Sequence, residues 1–175
     1  KEKNDFLKTI EWQNDHSNHW KNSSTEDKPE VAKRMQENAS KLENDKIIFC
    51  RITEKNTEGM IGGELTPRSG KGSNYFRLIR DNFTAASSSG SGGGHGWGKT
   101  VYFSYSLINT CFFSSVFKKQ KSKDFKTIFI ARSTIPNRKI KGNYFDLGAH
   151  FGEKMPNNKQ HYARLEDAEA RQYAR

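Results

Sequence analysis

SSSGSGGGHGWGKT, residues 87–100, is the stretch from which the rest of the sequence is best interpreted. Its first part, 87–94, is an unbroken run of glycine and serine, and it ends on Gly98, Lys99 and Thr100, directly before the bulky run VYFSYSLI. A bare backbone that enters a helix offers free N–H groups and the positive end of the helix dipole to an anion, and Lys99 adds a point charge. We therefore expect this stretch to bind phosphate, that of a nucleotide in particular, the alternative being a Gly/Ser linker.

The composition is that of a charged, basic chain. Of 175 residues 33% are hydrophobic, and the formal net charge is +10. This charge favours a polyanionic partner, either a nucleotide or a nucleic acid. No apolar run approaches the length of a membrane span and no secretory signal is visible, so a cytoplasmic protein without membrane contact is expected. Cys50 and Cys111 lie in apolar runs and are expected to be buried, reduced thiols.

The spacing of apolar residues predicts both helices and strands. Helices are expected over residues 4–20, 29–42, 73–81, 98–107 and 165–173. Strands are expected over residues 46–53, 108–117 and 125–135, the last two forming a hairpin across the charged segment KKQKSKD. The run KIIFCRIT (46–53) is nearly all apolar, which indicates a central strand buried on both faces. Because the order contains no run of βαβ units, we expect the α+β class, with helices on one face of a mixed sheet.

Residues 93–100, GGHGWGKT, also fit the P-loop pattern G-x-x-x-x-G-K-[ST]. A P-loop follows a buried strand directly, and the preceding DNFTAASSSGSG is not a sequence that forms a central strand. No apolar run that ends in aspartate follows it either. A P-loop nucleotide hydrolase that uses Gly93–Thr100 therefore remains an alternative.

A second motif, EKNTEGM (54–60), directly follows the KIIFCRIT run. An acid at the end of a strand can accept a hydrogen bond from the exocyclic amine of a base. The full order is a strand, an acid-x-Asn-Thr-x-Gly-Met turn, a helix, and a Gly-rich loop that ends in Gly-x-Gly-x-Gly-Lys. This order resembles the GHKL ATPases, the superfamily of DNA gyrase, heat-shock chaperone ATPases, histidine kinases and MutL. It is most similar to their bacterial MORC-like members, over about residues 40–150.

The resemblance implies a Bergerat-type fold, which is a two-layer α/β sandwich with a mixed, mostly antiparallel sheet and helices on one face. It also implies a division of the chain. Residues 1–45 would form a peripheral helical segment, and 46–155 would form the nucleotide-binding core, with a lid over 84–98. Residues 156–175 would form a C-terminal helix or tail.

The same resemblance implies ATP and Mg²⁺ as ligands. Glu54 stands where the family has its adenine-reading aspartate, and it is longer by one methylene. The turn beside the nucleotide and the segment that holds the phosphates would supply the remaining contacts: Asn56, Thr57, Gly59, Met60, Gly94, Gly96, Gly98, Lys99 and Thr100. In the family, ATP closes the lid and drives dimerisation. We therefore expect a homodimer on ATP binding and a role in DNA-linked or phage-defence processes.

The catalytic helix of the family, with a glutamate base and a Mg²⁺-binding asparagine four residues later, is not found in the sequence. Glu11 and Asn14 are three positions apart and lack its surroundings. We expect this helix upstream of Lys1. The full-length protein is then expected to be an ATPase, whereas this chain alone would bind nucleotide with little or no turnover.

A basic hairpin tip leaves a third possibility, a non-enzymatic module that binds nucleic acid. The tip carries Lys118, Lys119, Lys121, Lys123 and Lys126, which either contact DNA phosphates or form a solvated turn. His16 and His19 share a helix face without a third ligand, so no protein metal site is expected from them.

Overall fold

The computed structural model of this chain describes residues 7, 17–22, 29–44, 46–63, 73–80, 98–119, 121–146, 148–154 and 162–173. Its helices are α1 (Ser17–Lys21), α2 (Pro29–Asn44), α3 (Asn74–Ile79), α4 (Gly98–Tyr105) and α5 (Asp167–Tyr173). Its strands are β1 (Thr110–Lys118), β2 (Phe125–Ser133), β3 (Arg138–Ile140), β4 (Asn143–Phe145), β5 (Ala149–Phe151), β6 (Glu153–Lys154), β7 (Tyr162–Ala163) and β8 (Leu165–Glu166). Helices combine with an open antiparallel sheet, which confirms the α+β class.

The chain divides into two compact units. Unit 1 consists of Lys1–Thr53, Ser106–Thr110 and Ser133–Ala149. Unit 2 consists of Glu54–Tyr105, Cys111–Arg132 and His150–Arg175. Each unit has its own apolar cluster, because the buried side chains fall into two separate groups.

Helix α2 supplies much of the core of unit 1. Its buried side chains Met35, Ala39 and Leu42 recur at helical spacing and form one apolar stripe. Trp20 of α1 belongs to the same cluster, and its indole N–H donates a hydrogen bond to the Ile108 carbonyl at 2.9 Å. The polar tip of the tryptophan is therefore satisfied where its ring is buried.

A buried arginine joins the β3–β4 hairpin to the rest of unit 1. The guanidinium of Arg138 donates to the carbonyls of Pro136, Asp146 and Gly148 and, through Nε, to Nδ1 of His19 at 2.7 Å. Burial lowers the pKa of Arg138 to about 10. Because the carbonyls accept several of its N–H groups, this side chain fixes the turns around the hairpin.

Unit 2 is built on the predicted β1–β2 hairpin, which is confirmed. Strand β2 lies between β1 and β5, and it also pairs with β8 in antiparallel register, with Ile128 opposite Glu166 and Phe129 opposite Leu165. Side chains alternate along a strand, so Ile128 and Ile130 lie on one face and Phe129 on the other. All three are buried, and β2 is therefore covered on both faces.

The first face of this sheet carries the core of unit 2. Ile128 and Ile130 cluster there with Met60 and with Tyr75 and Ile79 of α3. On the second face, an aromatic group surrounds Phe129 and includes Phe112, Phe151 and Tyr173. Because Tyr173 belongs to α5, helical packing is not confined to one face as the sequence had predicted.

The predicted strand over 46–53 is not present. Residues 46–55 lie outside every helix and strand of the described chain, and Ile48, Phe49 and Ile52 are 92%, 60% and 63% exposed. Cys50 is exposed as well, so the expectation of a buried thiol was wrong for it. Strand β2 has a pairing partner a few residues away along the chain, whereas residues 46–53 have none nearby and would close a much longer loop.

Two other element predictions shift in the structure. The helix expected over 165–173 begins only at Asp167, because Leu165 and Glu166 pair with β2. The helix expected over 4–20 is only partly described, in α1. Within the described residues, no helix is both long and apolar enough to cross a membrane.

Candidate functional site

The predicted site residues have different surroundings in unit 2. Glu54, Asn56 and Thr57 are exposed, and Met60 is buried. Gly59 is half-buried between them. Gly98 and Lys99 begin helix α4, and Thr100 behind them is exposed. Gly94 and Gly96, with the rest of the expected lid over 84–97, lie outside the described residues.

The turn over 54–63 depends on backbone conformations that favour glycine. Gly59 has a φ of +71° and Asn56 a φ of +60°, both in the left-handed region. The Met60 N–H donates to Oγ of Ser115 on β1 at 3.0 Å. A Cβ placed on Gly59 would lie 2.7 Å from that same oxygen, so the turn approaches β1 more closely than a side chain at this position would allow.

The far end of the turn is joined to α3. Gly62 has a φ of +106°, and a Cβ there would lie 1.9 Å from Cβ of Ser73. Ser73 is the N-cap of α3, and its Oγ accepts from the Phe76 N–H at 3.1 Å. The carbonyl of Gly62 accepts a hydrogen bond from the Arg164 guanidinium, whose carbon lies 4.7 Å above the Tyr75 ring. The turn is thus fixed at both ends.

Helix α4 is attached to the sheet by aromatic contacts. The buried Phe103 ring lies 6.2 Å from the Phe113 ring, measured between centroids. The guanidinium carbon of Arg132 lies 5.5 Å from the Phe103 ring centroid, and its Nη1 donates to the Ile79 carbonyl at 2.7 Å. Arg132 therefore connects α4 to the end of α3.

The two sequence motifs meet on one face of one strand. Phe113, Ser115 and Phe117 alternate along β1 and therefore share a face. The turn reaches this face through Met60, and α4 reaches it through Phe103. The structure thus places the end of the acid-containing turn and the helix that begins at the Gly-Lys-Thr sequence against the same face of β1.

This arrangement has two chemical features that suit an anionic, base-containing ligand. The first turn of α4 carries backbone N–H groups without helical acceptors, which attract negative charge. Glu54, Asn56 and Thr57 add exposed oxygen and amide groups in the same unit.

The basic hairpin tip is partly neutralised. Lys126 forms an ion pair with Glu166, and Lys119 lies 3.9 Å from Asp167. Burial raises the pKa of Glu166, but hydrogen bonds from Lys126 and Arg164 outweigh it, and the net pKa is lowered. Two of the five lysines at the tip thus contact acids of the same unit, which reduces the positive charge that the tip presents.

The described residues contain no cluster suited to a metal ion. No group of three or more His, Cys, Asp or Glu side chains comes together among them. Glu11 and Asn14 fall outside the described part of the chain. No Mg²⁺ ligands are therefore assigned among the described residues, and Mg²⁺ stays a prediction of the resemblance.

Sequence reasoning missed the side chains that hold the two motifs in place. Ser115 occupies a polar position inside the strand FFSSVF, and such a serine signals a buried hydrogen-bond partner. Arg132 and Arg164 were counted only toward the net charge. An arginine that ends an apolar strand, as in FIARS, could have indicated an internal contact to a carbonyl and a ring.

No protein-family model, curated protein or solved structure shows a significant match to this chain.

Proposed function

We propose that this chain is an ATP-binding domain of the GHKL type, in which unit 2 binds the nucleotide. The proposal includes a Bergerat-type arrangement in which α3 and α4 form one helical layer over the β1–β2 hairpin, with α5 added on the opposite face. It also includes a cytoplasmic location and a homodimer on ATP binding. The full-length protein would use ATP in a conformational cycle linked to DNA or to phage defence.

One observation carries the proposal. The turn that follows Glu54 and the helix that begins with Gly98 and Lys99 both pack on the same face of β1, through Met60 and Phe103. The two motifs are about forty residues apart in sequence, and nothing in a Gly/Ser linker would require them to share a surface. A nucleotide needs one site for its base and another for its phosphates, which these two motifs would supply.

Each residue has a role in this proposal. The Glu54 carboxylate accepts a hydrogen bond from the exocyclic amine of adenine. The backbone N–H groups in the first turn of α4 and the ammonium of Lys99 hold the phosphates. The proposal covers binding, and no hydrolytic step is assigned to this chain, because its described residues provide neither a base beside the phosphates nor a metal site.

The two alternatives have less support. A P-loop hydrolase is built on parallel strands, whereas β2 pairs with β8 in antiparallel fashion and with β1 through a short hairpin. A nucleic-acid-binding module would use the hairpin tip, where Lys119 and Lys126 already contact acids. The second alternative nevertheless retains the exposed Lys118, Lys121 and Lys123.

Isothermal titration of the full chain with ATP and with GTP tests the proposal. We expect ATP to bind more tightly than GTP, because guanine has a carbonyl where adenine offers the amine to Glu54. Lys99→Ala should weaken ATP binding about tenfold or more, the effect of losing one charge-assisted hydrogen bond.

Lys123→Ala is the matched control, because it removes the same charge from the exposed hairpin tip. It should leave ATP affinity unchanged if the site lies at α4. Equal losses in both variants would point to binding by charge alone, as in the nucleic-acid alternative. An absence of heat at millimolar ATP would refute the proposal.

A further inference from the structure

The exposed apolar run that ends unit 1, together with Glu54 directly after it, has a self-complementary pattern. Every second residue from 46 to 54 reads Lys46, Ile48, Cys50, Ile52, Glu54, with a positive end, an apolar middle and a negative end. In a β-strand these side chains would share one face. All five are exposed in the structure.

We propose that residues 46–54 pair with the same residues of a second copy of this chain, as an antiparallel two-stranded ribbon with its two-fold axis at Cys50. In this register Lys46 lies opposite Glu54 of the other copy, and Ile48 lies opposite Ile52. Symmetry generates each of these pairs twice, and Cys50 faces its own counterpart. No nucleotide takes part, so this pairing is separate from a dimer that forms on ATP binding.

The charge pattern favours a second copy of this chain as the pairing partner. Opposite charges directly across an antiparallel pair stabilise it, and like charges destabilise it. The other face of the same register agrees, because the sequence places Asp45 opposite Lys55 and Phe49 opposite Arg51. A partner strand of another sequence would match this pattern only by coincidence, whereas a second copy places opposite charges across both ends and brings no like charges together.

The described sheets of the chain do not include this run. Its sequence is rich in β-branched and aromatic residues that favour strands. Ile47 packs against the core cluster of unit 1 and anchors the start of the run. Covering Ile48 and Ile52 removes apolar surface from water, which is the main favourable term in association.

Sedimentation equilibrium of the full chain without nucleotide measures the association. We expect a monomer–dimer equilibrium, from the 20.1 kDa chain to twice that mass, and no larger species, because an isologous contact closes on itself. A Lys46→Glu variant places two acids opposite each other twice and should weaken the dimer about tenfold. Glu54→Lys should weaken it similarly, and the double variant should restore it.

Thiol cross-linking tests the register. Directly opposed Cα atoms in an antiparallel pair lie about 4.5–5.5 Å apart, within the range that a disulfide spans. Copper phenanthroline in air should join two copies through Cys50, with dioxygen accepting the two electrons and two protons that the thiols lose. Cys111→Ser, which removes the other cysteine of the chain, should retain the cross-link, and Cys50→Ser should abolish it.

Three results would overturn the inference. The chain could sediment as a monomer at every concentration that stays in solution. The charge-swapped double variant could dimerise as poorly as the single variants. Hydrogen exchange could show residues 46–54 protected equally at low and high concentration, which would mean that the run pairs within its own chain.

Discussion

Two apolar runs of this chain look alike in sequence and differ in structure. KIIFCRIT at 46–53 is exposed and lies outside the sheets that the structure describes. TIFIARS at 127–133 forms most of β2 and is buried on both faces over Ile128, Phe129 and Ile130. Both runs are rich in isoleucine and phenylalanine, so composition alone does not distinguish them.

The difference lies in the partners available along the chain. Strand β1 ends a few residues before β2 begins, and the backbone N–H of Lys119 bonds to the carbonyl of Asp124 to close the hairpin. Such a short loop costs little entropy to close. In the described part of the chain, the run at 46–53 is followed by a glycine-containing turn and helix α3, and the nearest strand in sequence is β1 at Thr110. Burial follows from pairing as well as from hydrophobicity.

The largest expected difference is in stability. Ile130→Ala removes a fully buried side chain from the core of unit 2 and should lower the free energy of unfolding by about 2–5 kcal/mol. Ile48→Ala makes the same kind of change at a side chain that is 92% exposed, and should alter it by less than about 0.5 kcal/mol. Denaturant unfolding at low protein concentration measures both. Similar losses would show that 46–53 is buried in the folded chain.

Thiol reactivity compares Cys50 of the exposed run with Cys111 of β1, the strand next to β2. Burial raises the pKa of Cys111 to about 11 from 9.0, although nearby Arg132 lowers it in part. At pH 8 this shift reduces the reactive thiolate about a hundredfold. Ellman's reagent should therefore label one thiol rapidly, and Cys50→Ser should remove the rapid phase. A rapid phase that survives in this variant would come from Cys111 and would contradict the burial of that thiol.

The turn that follows the exposed run should be intolerant of side chains. Gly62→Ala introduces a Cβ that would lie 1.9 Å from Cβ of Ser73, at a φ of +106°, and should destabilise unit 2 on the order of 1–3 kcal/mol. Gly63→Ala is the control, because a Cβ there has nothing within 4 Å. Thermal unfolding of both variants gives the comparison. Equal melting temperatures would mean that the turn is less tightly held than described.

The smallest effect concerns the support of β2 by β8. The lowered pKa of Glu166 means that its ion pairs stabilise the fold above the ordinary carboxyl pKa of 4.5 and are lost as the pH falls through the lower folded value. Because this side chain is 44% exposed, Glu166→Gln should cost well under about 1 kcal/mol at pH 7. The difference in free energy of unfolding between Glu166→Gln and the unsubstituted protein should disappear at acidic pH. A difference that grows on acidification would contradict the assigned ion pairs.

The sequence predicted the elements whose signals are local. The β1–β2 hairpin, helix α2 from Pro29 and helix α3 were all found close to their predicted positions. The exposure of 46–53 could not be predicted, because strand pairing depends on partners far away in the chain.

Of the candidate site, the sequence predicted the two motifs but not the contacts that hold them in place. Glu54 and Lys99 stand out by type and spacing, whereas the contact that joins the turn to β1 is made by a single serine, Ser115. Arg132 contacts the Ile79 carbonyl and the Phe103 ring, and both contacts depend on the tertiary fold. Such contacts have no local sequence signal, and they decide which motifs share a surface.

Hydrogen-exchange mass spectrometry of the full chain, with and without ATP, tests the central claim most directly. With and without ATP, the amides of 127–133 should exchange slowly, because they lie in a buried strand, and they serve as an internal reference. Adding ATP should slow exchange in the turn over 54–63 and in the first turn of α4 together, because one ligand would contact both. Protection of only one of these segments, or of the basic hairpin tip instead, would contradict the account.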